Sequence, residues 1–412
     1  MESPINLGFN PAWSSLMHLD LNSCFATIEQ QANPFLRDKP LAVAAYNSPG
    51  GCILAASKEA KKLGIKTGMR LRLARQLCPK LRVLEPDPDK YRSVHLALRE
   101  IVSQYTPVFA PKSIDEFVLD FGSVHTPGTD LKEIGQKIKA RIRSEIGEAI
   151  TVSIGLGPNR FLAKTASNLV KPDGLEEINK GNFLSVYEGL GLTDLTGINV
   201  RNEIRLKCFG IRNVSQFYRA PLITLKAAFA SILGYYWYAR LRGWEVDSME
   251  SARQSFGNSF AFPHSQGTWE EIWPVLMRLT EKTGFRMRKA GYGACGVAVF
   301  LSFKDHSFWH KSQKTKKEIF DSREIYQMAK YLFSFCPEIK PVHTLAVSCF
   351  NLKKKNTSQL EIFDDVVKRR SLISAVDSLN LLWGDFTVKS PRSIQGGERV
   401  QDRIAFGGIR EL

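Results

Sequence analysis

The chain has 412 residues, with 57 Lys or Arg against 41 Asp or Glu, which gives a formal net charge of +16 at pH 7. This length predicts about two to four domains, and 43% hydrophobic with 24% charged residues excludes a largely disordered or fibrous chain. No apolar run approaches the ~18–20 residues that span a bilayer, and residues 1–15 lack the basic and apolar segments of a secretory signal, so neither feature is expected.

The first half of the chain alternates strand and helix patterns. Short apolar runs predict strands at 17–21, 40–46, 113–121 and 151–157. Apolar residues at helical spacing predict helices at 25–31, 89–105, 131–145 and 160–170. Two shorter helices are expected after Ser57, with interruptions at Gly64 and Gly68. This mixture predicts an α/β or α+β first domain.

The pattern changes after Gly174. Residues 181–244 are almost entirely helical in pattern, and the polar residues 245–254 predict a linker. The segments that follow predict a small α+β module, with helices at 269–290 and 323–335, strands at 297–303 and 345–351, and a basic stretch at 304–317.

Three carboxylates occur where predicted strands begin or end. Asp20 ends the first strand, and Asp115 and Glu116 lie in the third. Neighbouring strands are ~4.8 Å apart, so the three groups could meet at one sheet edge. Their mutual repulsion would be relieved by two Mg²⁺ ions, which bind hard oxygen ligands and catalyse phosphoryl transfer. Acidic residues at strand ends are also common without a metal, so a purely structural role stays open.

Several separated segments resemble the motifs of the Y-family DNA polymerases, the translesion enzymes, and most closely the bacterial polymerase IV type. The resemblance covers about residues 16–363. The segments are DLNSCFATIE at 20–29, SIDEFVLD at 113–120, SIGLGPNRFLAKTAS at 153–167 and KPDG at 171–174, with shorter matches at 33–40 and 59–65. Several motifs in the same order are more specific than any one of them.

The resemblance implies an α+β right-hand architecture. The implied parts are a palm at 13–23 and 87–180, fingers at 24–86, a helical thumb at 181–244, the linker, a little finger at 255–352 and a C-terminal extension at 353–412.

The same resemblance implies the chemistry. Asp20, Asp115 and Glu116 would hold two Mg²⁺ ions per active site, with the Leu21 carbonyl as a further ligand, and Mn²⁺ could replace Mg²⁺. Phe25 aligns with the aromatic steric gate, whose ring would clash with a ribose 2′-hydroxyl. Without the motif, ordinary core packing would be the simpler role for Phe25.

The segment expected to bind the triphosphate departs from the polymerase IV pattern. Polymerase IV fingers usually carry Thr, Tyr and Arg where this chain has Ala55, Lys58 and Lys61, and the segment is more similar to the polymerase V catalytic subunit. Lys58, Lys61 and Arg160 can still neutralise phosphate, although a lysine lacks the bidentate fork of arginine. The spacing of the two lysines also fits a solvated helix face.

Two basic or turn segments are candidate DNA contacts. Gly197 and Asn199 lie in a segment that resembles a helix–hairpin–helix turn, which would aim backbone N–H groups at a phosphate. Lys304, Lys311 and Lys314 belong to a stretch that mixes bases with aromatics and could follow phosphates. The alternative for this stretch is a solvated sheet edge. The net charge favours a nucleic acid partner, although an anionic membrane surface or simple solubility would also explain it.

The segment QLEIF resembles the bacterial sliding-clamp binding motif, with apolar anchors that fill a pocket; its candidate residues are Gln359, Leu360, Ile362 and Phe363. Seven cysteines without a CxxC pair predict a reduced, cytoplasmic chain with neither a disulfide framework nor a zinc site. The expected partners are primer-template DNA, deoxynucleoside triphosphates and the sliding clamp, with no membrane, for a monomer associated with the nucleoid.

The implied activity is template-directed DNA synthesis of low fidelity, without a proofreading segment. Two other classes remain open at this stage. The first is a catalytically inactive DNA-binding accessory protein on the same scaffold, although such a protein would not need all three carboxylates. The second is a basic structural DNA-binding protein, which would explain the charge but not the SIDE segment at 113–116.

Overall fold

The computed structural model describes residues 7–247, 253–354, 366–384 and 386–394. They form two compact units, one up to residue 247 and one from 253 onward. Both units combine helices with sheets, which confirms the predicted α+β class. Among the described residues, no helix is both long enough and apolar enough to cross a bilayer.

The elements of the first unit follow the predicted alternation closely. In chain order they are β1 (Leu16–Leu21), α1 (Cys24–Ala32), β2 (Leu41–Ala44), β3 (Ile53–Ala56), α2 (Lys58–Lys62), α3 (Leu71–Leu77), β4 (Arg82–Leu84), α4 (Pro88–Ser103), β5 (Phe109–Pro111), β6 (Glu116–Asp120), α5 (Leu131–Arg141), β7 (Val152–Gly157), α6 (Arg160–Leu169), β8 (Leu175–Glu177), α7 (Phe183–Glu188), α8 (Val200–Cys208), α9 (Val214–Arg219), α10 (Leu222–Phe229) and α11 (Leu233–Arg240).

The main sheet of this unit has the order β5-β6-β1-β7-β8. The central strand β1 is buried along its whole length and pairs antiparallel with both β6 and β7. Helix α6 packs on β1 and β7. Because β1 is buried on both faces, its residues are apolar except for His18 and Asp20.

A second, three-stranded sheet has the order β3-β2-β4 and carries the short helices α2 and α3. The predicted helix interruptions are confirmed: Gly64 and Gly68 have φ values of 84° and 86°, a region that favours glycine. Helices α7 to α11 form a separate apolar core that includes Phe217 and Trp237, in agreement with the predicted helical segment.

The second unit is a four-stranded antiparallel sheet with two helices packed on one face. Its elements are β9 (Ser255–Gln266), α12 (Trp269–Lys289), β10 (Tyr292–Phe303), β11 (Phe308–Ile319), α13 (Ser322–Phe333), β12 (Val342–Phe350), β13 (Leu352–Lys354) and α14 (Val366–Trp383). The sheet order is β11-β10-β12-β9, with β13 paired to β10. Most of the basic stretch 304–317 lies in strand β11. This strand is at the edge of the sheet, where polar and charged residues are common.

Candidate active site

The pairing of β1 with β6 brings the predicted carboxylates together. Asp20 and Glu116 are direct cross-strand partners. Asp115 lies in the turn just before β6 rather than in the strand, and its carbonyl accepts a hydrogen bond from the Leu21 N–H at 2.9 Å. The antiparallel register thus places three carboxylates and the Leu21 backbone at one end of the two strands, as the sequence predicted.

The three carboxylates have different environments. Burial raises the pKa of Asp115, the charges of Asp20 and Glu116 raise it further, and a hydrogen bond from the Ser113 hydroxyl opposes them. Burial also opposes ionisation of Glu116, but the His18 ring and the Lys164 ammonium outweigh it and lower the pKa of Glu116 to about 2.

Two lysines that sequence analysis did not select compensate this acidic cluster. Lys164 on α6 donates to Asp20 and lies 2.7 Å from Glu116 Oε1. Lys171, in the turn after α6, has its Nζ 2.9 Å from Asp20 Oδ2. Lys164 and Lys171 belong to the motifs at 153–167 and 171–174. Their contact with Asp20 could have been inferred only from the packing of the helix after β7 against the strand that carries Asp20.

His18 is a third group that the sequence did not single out. It lies two residues before Asp20 on β1, so both side chains point to the same face of the sheet. Its Nε2 lies 3.5 Å from Glu116 Oε2. His18, Asp20 and Glu116 can each place one ligand atom within 4.8 Å of the others. Burial lowers the pKa of His18, with Glu116 acting in the opposite direction.

A cavity of about 740 Å³ opens beside the carboxylates. It is lined by Asp20, Leu21, Asn22, Ser23, Cys24, Phe25, Leu54, Ala55, Ala56, Lys58, Lys61, Lys62, Thr67, Asp115, Lys171 and Pro172. The lining thus combines the carboxylates of Asp20 and Asp115 with the ammonium groups of Lys58, Lys61, Lys62 and Lys171.

Phe25 is buried in the core and also borders the cavity, so its position is compatible with both roles that the sequence left open. Its side chain is 2% exposed and stacks on Tyr91, with ring centroids 4.2 Å apart and an angle of 8° between the planes. Phe25 also lines the cavity. The Tyr91 hydroxyl donates to Glu29 Oε1 at 2.9 Å, so the ring behind Phe25 is itself fixed.

The predicted phosphate-binding residues have different positions. Lys61 is exposed at the surface, but partial desolvation, followed by the nearby charge of Lys171, lowers its pKa. Lys58 is also exposed and forms ion pairs with Asp38 and Glu59 at 3.8 and 3.6 Å. Both lysines line the cavity.

Arg160 is not among the residues that line the cavity. Its side chain lies against the segment that follows α11: the guanidinium donates to the Asp247 carbonyl, and its Nε lies 3.6 Å from Glu245. Arg160 therefore interacts with residues of its own chain, and this position does not favour the predicted contact with a nucleotide.

A turn that contains Gly197 leads through Asn199 into the start of α8. Gly197 has φ of 99°, whereas Asn199 is extended, with φ of −93°, and its side chain accepts the Asn202 N–H as the N-cap of α8. Asparagine is favoured at this position as a cap, since its oxygen satisfies a free N–H of the first turn. The segment therefore presents a capped helix start.

The candidate lysines of the second unit do not share one face. Lys304 and Lys314 are exposed. Successive side chains of β11 point to opposite faces of the sheet, and that of Lys311 points toward the helices. Its Nζ lies 3.4 Å from the centre of the Phe335 ring. Lys314, which pairs with Gly296, lies on the opposite face. The clamp-like residues Gln359, Leu360, Ile362 and Phe363 lie outside the described residues.

Comparison with known proteins gives a consistent assignment. The model of the impB/mucB/samB family matches residues 19–168, and the model of its C-terminal domain matches residues 253–362. A DNA polymerase IV of Moorella thermoacetica is 33% identical over 404 residues, covering 96% of this chain and 98% of that protein. A DNA polymerase IV of Pelotomaculum thermopropionicum is 32% identical over 393 residues, covering 93% and 96%.

The fold agrees with this relationship. A Y-family DNA polymerase chimera of Dbh and Dpo4 has a TM-score of 0.73 and 24% sequence identity, covering 82% of this chain and 98% of that one. Such a similarity supports the right-hand architecture of palm, fingers, thumb and little finger. The chain therefore belongs to the impB/mucB/samB family and is a Y-family polymerase of the DNA polymerase IV type.

Proposed function

We propose that this chain is a template-directed DNA polymerase of the translesion type, which adds deoxynucleotides to a primer 3′-hydroxyl with release of pyrophosphate. The observation that carries the proposal is the cluster of Asp20, Asp115 and Glu116 beside a cavity with a lysine-lined wall. Carboxylates that can hold divalent metal ions, together with cations that can bind phosphate oxygens, support phosphoryl transfer to a nucleotide.

The donor set fits divalent metal ions. Asp20, Asp115 and Glu116 offer hard oxygen ligands, and the contacts of two ammonium groups with Asp20 support an affinity of the cluster for cations. We assign these carboxylates and the Leu21 carbonyl to two Mg²⁺ ions, for which Mn²⁺ can substitute. Bound there, the ions would activate the 3′-hydroxyl and neutralise the triphosphate.

The lysines of the cavity would hold the triphosphate. Lys58 and Lys61 line the cavity from α2, and Lys171 lines it from the turn after α6. As point charges, they bind phosphate oxygens without fixed bidentate geometry. This mode of binding suits a site that accepts templates of more than one shape.

Phe25 would select the sugar. Its ring is wedged between Tyr91 and the cavity, so it has no room to retreat from a 2′-hydroxyl. We expect low fidelity, because Ala55 and Ala56 line the cavity with small side chains.

DNA contacts are assigned to both units. The capped helix start at Gly197 and Asn199 would bind a backbone phosphate through free N–H groups. Lys304 and Lys314 would contact phosphates from the second unit. We further propose that a sliding clamp binds the segment with Gln359, Leu360, Ile362 and Phe363. A pull-down of the clamp should succeed with the wild-type protein and fail with the Phe363→Ala variant.

Primer extension on an undamaged template with Mg²⁺ and the four deoxynucleotides tests the activity. We expect the wild type to extend the primer and Asp115→Asn to lose at least about a thousandfold in rate, because a metal ligand is removed without a change of shape. Asp130→Asn is the matched control: Asp130 caps α5 away from the cavity, and asparagine caps equally well. If wild type and Asp115→Asn both bind primer-template but neither extends it, the chain is an inactive accessory protein.

A further inference from the structure

The turn that carries Lys171 is attached to the end of β1 through one side chain. Residues 170–174, here called the 170–174 turn, connect α6 to β8. The Asp173 N–H donates to Asn22 Oδ1 at 2.8 Å. Asn22 follows the last residue of β1 and lies two residues after Asp20, so it joins the carboxylate strand directly to the lysine turn.

Both the oxygen and the nitrogen of the Asn22 side-chain amide form hydrogen bonds. While its oxygen accepts from Asp173, its Nδ2 donates to Ser153 Oγ at 2.9 Å. Ser153 is fully buried on β7 and faces Asp20 in the strand pairing. Its hydroxyl also lies 3.5 Å from the Val170 carbonyl and 3.4 Å from the Gly174 N–H. Asn22 and Ser153 thus hold both ends of the 170–174 turn.

The turn has a backbone conformation that needs support, to which ion pairs of Asp173 with Lys139, at 3.0 Å, and with Arg143 also contribute. Asp173 has φ of 62°, in the left-handed region that most non-glycine residues avoid. Asn22 is only 8% exposed, so losing its partners would leave buried polar groups unsatisfied. Lys171 is two residues from the anchored N–H and is 35% exposed at its side chain, so a shift of the turn would move its ammonium away from Asp20.

We propose that Asn22 is a positioning residue that fixes the 170–174 turn and thereby places the Lys171 ammonium where it binds the triphosphate of the incoming nucleotide. This inference rests on the proposed polymerase function. Asn22 itself touches neither phosphate nor metal in this role. Its effect is on nucleotide affinity, because it acts through Lys171 and not through the carboxylates.

Two measurements on full-length protein test the proposal. The first is the KM and kcat for dATP opposite a template T in primer extension. The second is equilibrium binding of dATP to the complex with a 3′-dideoxy-terminated primer, which needs no chemical step. For Asn22→Ala we expect both KM and the dATP dissociation constant to rise about fivefold, with kcat within about twofold of wild type, since one buried hydrogen bond is worth ~1 kcal/mol.

Two further variants separate positioning from simple packing. Asn22→Asp keeps an oxygen that accepts the Asp173 N–H and can accept the Ser153 hydroxyl, so it should restore KM to within about twofold. Lys171→Ala should raise KM about tenfold or more, since a charge-assisted contact is lost. The double variant Asn22→Ala with Lys171→Ala should equal Lys171→Ala, because both changes remove the same interaction.

Asn182→Ala is the matched control. Asn182 is a partly buried asparagine that, like Asn22, forms two side-chain hydrogen bonds, one from the Asn179 N–H at 2.9 Å and one to the Glu177 carbonyl at 2.7 Å, but it does not line the cavity. It should lower the melting temperature without changing KM. If Asn22→Ala does not fold, Ser153→Ala removes the second anchor and should raise KM in the same direction.

Two results would overturn the inference while polymerase activity is intact. One is a KM unchanged in a folded Asn22→Ala or Ser153→Ala variant. The other is a double variant whose KM rises by the product of the increases caused by Asn22→Ala and Lys171→Ala alone. Such a product would mean that the two residues act independently. A wild-type chain that does not extend primers would instead refute the proposed function.

Discussion

Phe25 and Tyr91 stack face to face, with ring centroids 4.2 Å apart, and a hydrogen bond from the Tyr91 hydroxyl to Glu29 holds the rear ring in place. Glu29 also accepts from Lys90 at 2.8 Å. A ring that lines the nucleotide cavity is therefore supported from behind by a buried polar network. Such support matters because a steric gate excludes a hydroxyl only if it cannot move aside.

This arrangement predicts the effect of opening the gate. Phe25→Ala should increase the ratio of kcat/KM for ATP to that for dATP about 10- to 100-fold, since exclusion of a small group is worth ~1–3 kcal/mol. Tyr91→Phe keeps the stack but loses the bond to Glu29, and it should change the ratio less than about threefold. Equal ratios for wild type and a folded Phe25→Ala would mean that Phe25 serves only the core.

Lys164 makes the acidic cluster stable in the absence of metal, because its ammonium contacts both Asp20 and Glu116. Lys164→Met should lower the free energy of unfolding by about 2–3 kcal/mol in EDTA, where the carboxylates lose their nearest cation. Millimolar Mg²⁺ should reduce this deficit, since divalent cations supply the missing charge. Thermal unfolding with and without Mg²⁺ measures both values.

The control for this prediction is an exposed lysine pair. Lys132 lies 3.9 Å from Glu177 and is 52% exposed at its side chain, so Lys132→Met should cost less than about 0.5 kcal/mol under both conditions. A Lys164→Met deficit that is the same in EDTA and in Mg²⁺ would contradict the proposed link between Lys164 and the metal site.

Strand β11 offers a matched pair for testing DNA contact. Lys314 lies on the open face of the sheet, whereas Lys311 is directed toward the helices and lies over Phe335. Lys314→Gln should reduce the slope of log affinity against log salt concentration by about 0.9, the value for one phosphate contact. Lys311→Gln should change the slope much less. Primer-template binding by fluorescence anisotropy over a salt series would show equal slopes if neither residue contacts phosphate.

The sequence predicted the elements that position the carboxylates because their signals are local. A short apolar run that ends near Asp20, and a strand pattern at 113–121 that includes Asp115 and Glu116, are visible as patterns of neighbouring residues, although the observed strand begins only at Glu116. Their register then follows from antiparallel pairing. The α+β class and the helical segment of the first unit were predictable for the same reason.

The residues that were missed act through contacts distant in sequence. Lys164 and Asp20 are 144 positions apart, and Asn22 and Asp173 are 151 apart. Nothing in the local pattern states that α6 lies over β1 with Lys164 pointing inward. Likewise, only the three-dimensional alternation of β11 separates Lys311 from Lys314. Motif spacing thus identified the strands of the site, whereas the groups that compensate and orient the carboxylates required the packing.

The last prediction concerns α14, which the sequence left without a role. Arg288 on α12 holds Asp377 on α14 in a bidentate pair at 2.7 and 2.8 Å, with both side chains less than 20% exposed. Two further arginines of the helix, Arg369 and Arg370, contact Glu324 and Glu318 at 3.0 and 3.2 Å. Ion pairs therefore connect α14 to α12, α13 and β11.

Asp377→Ala should therefore loosen α14 selectively. Leaving the buried Arg288 unpaired costs about 1–3 kcal/mol, which should raise amide hydrogen exchange across residues 366–383 about 5- to 100-fold while β10 and β12 keep their protection. Asp305→Ala is the control, because its pair with Lys340 at 2.9 Å is half-exposed and contributes little. Unchanged exchange in Asp377→Ala would show that apolar packing against α12, at Phe285 and Met277 for example, is sufficient to hold the helix.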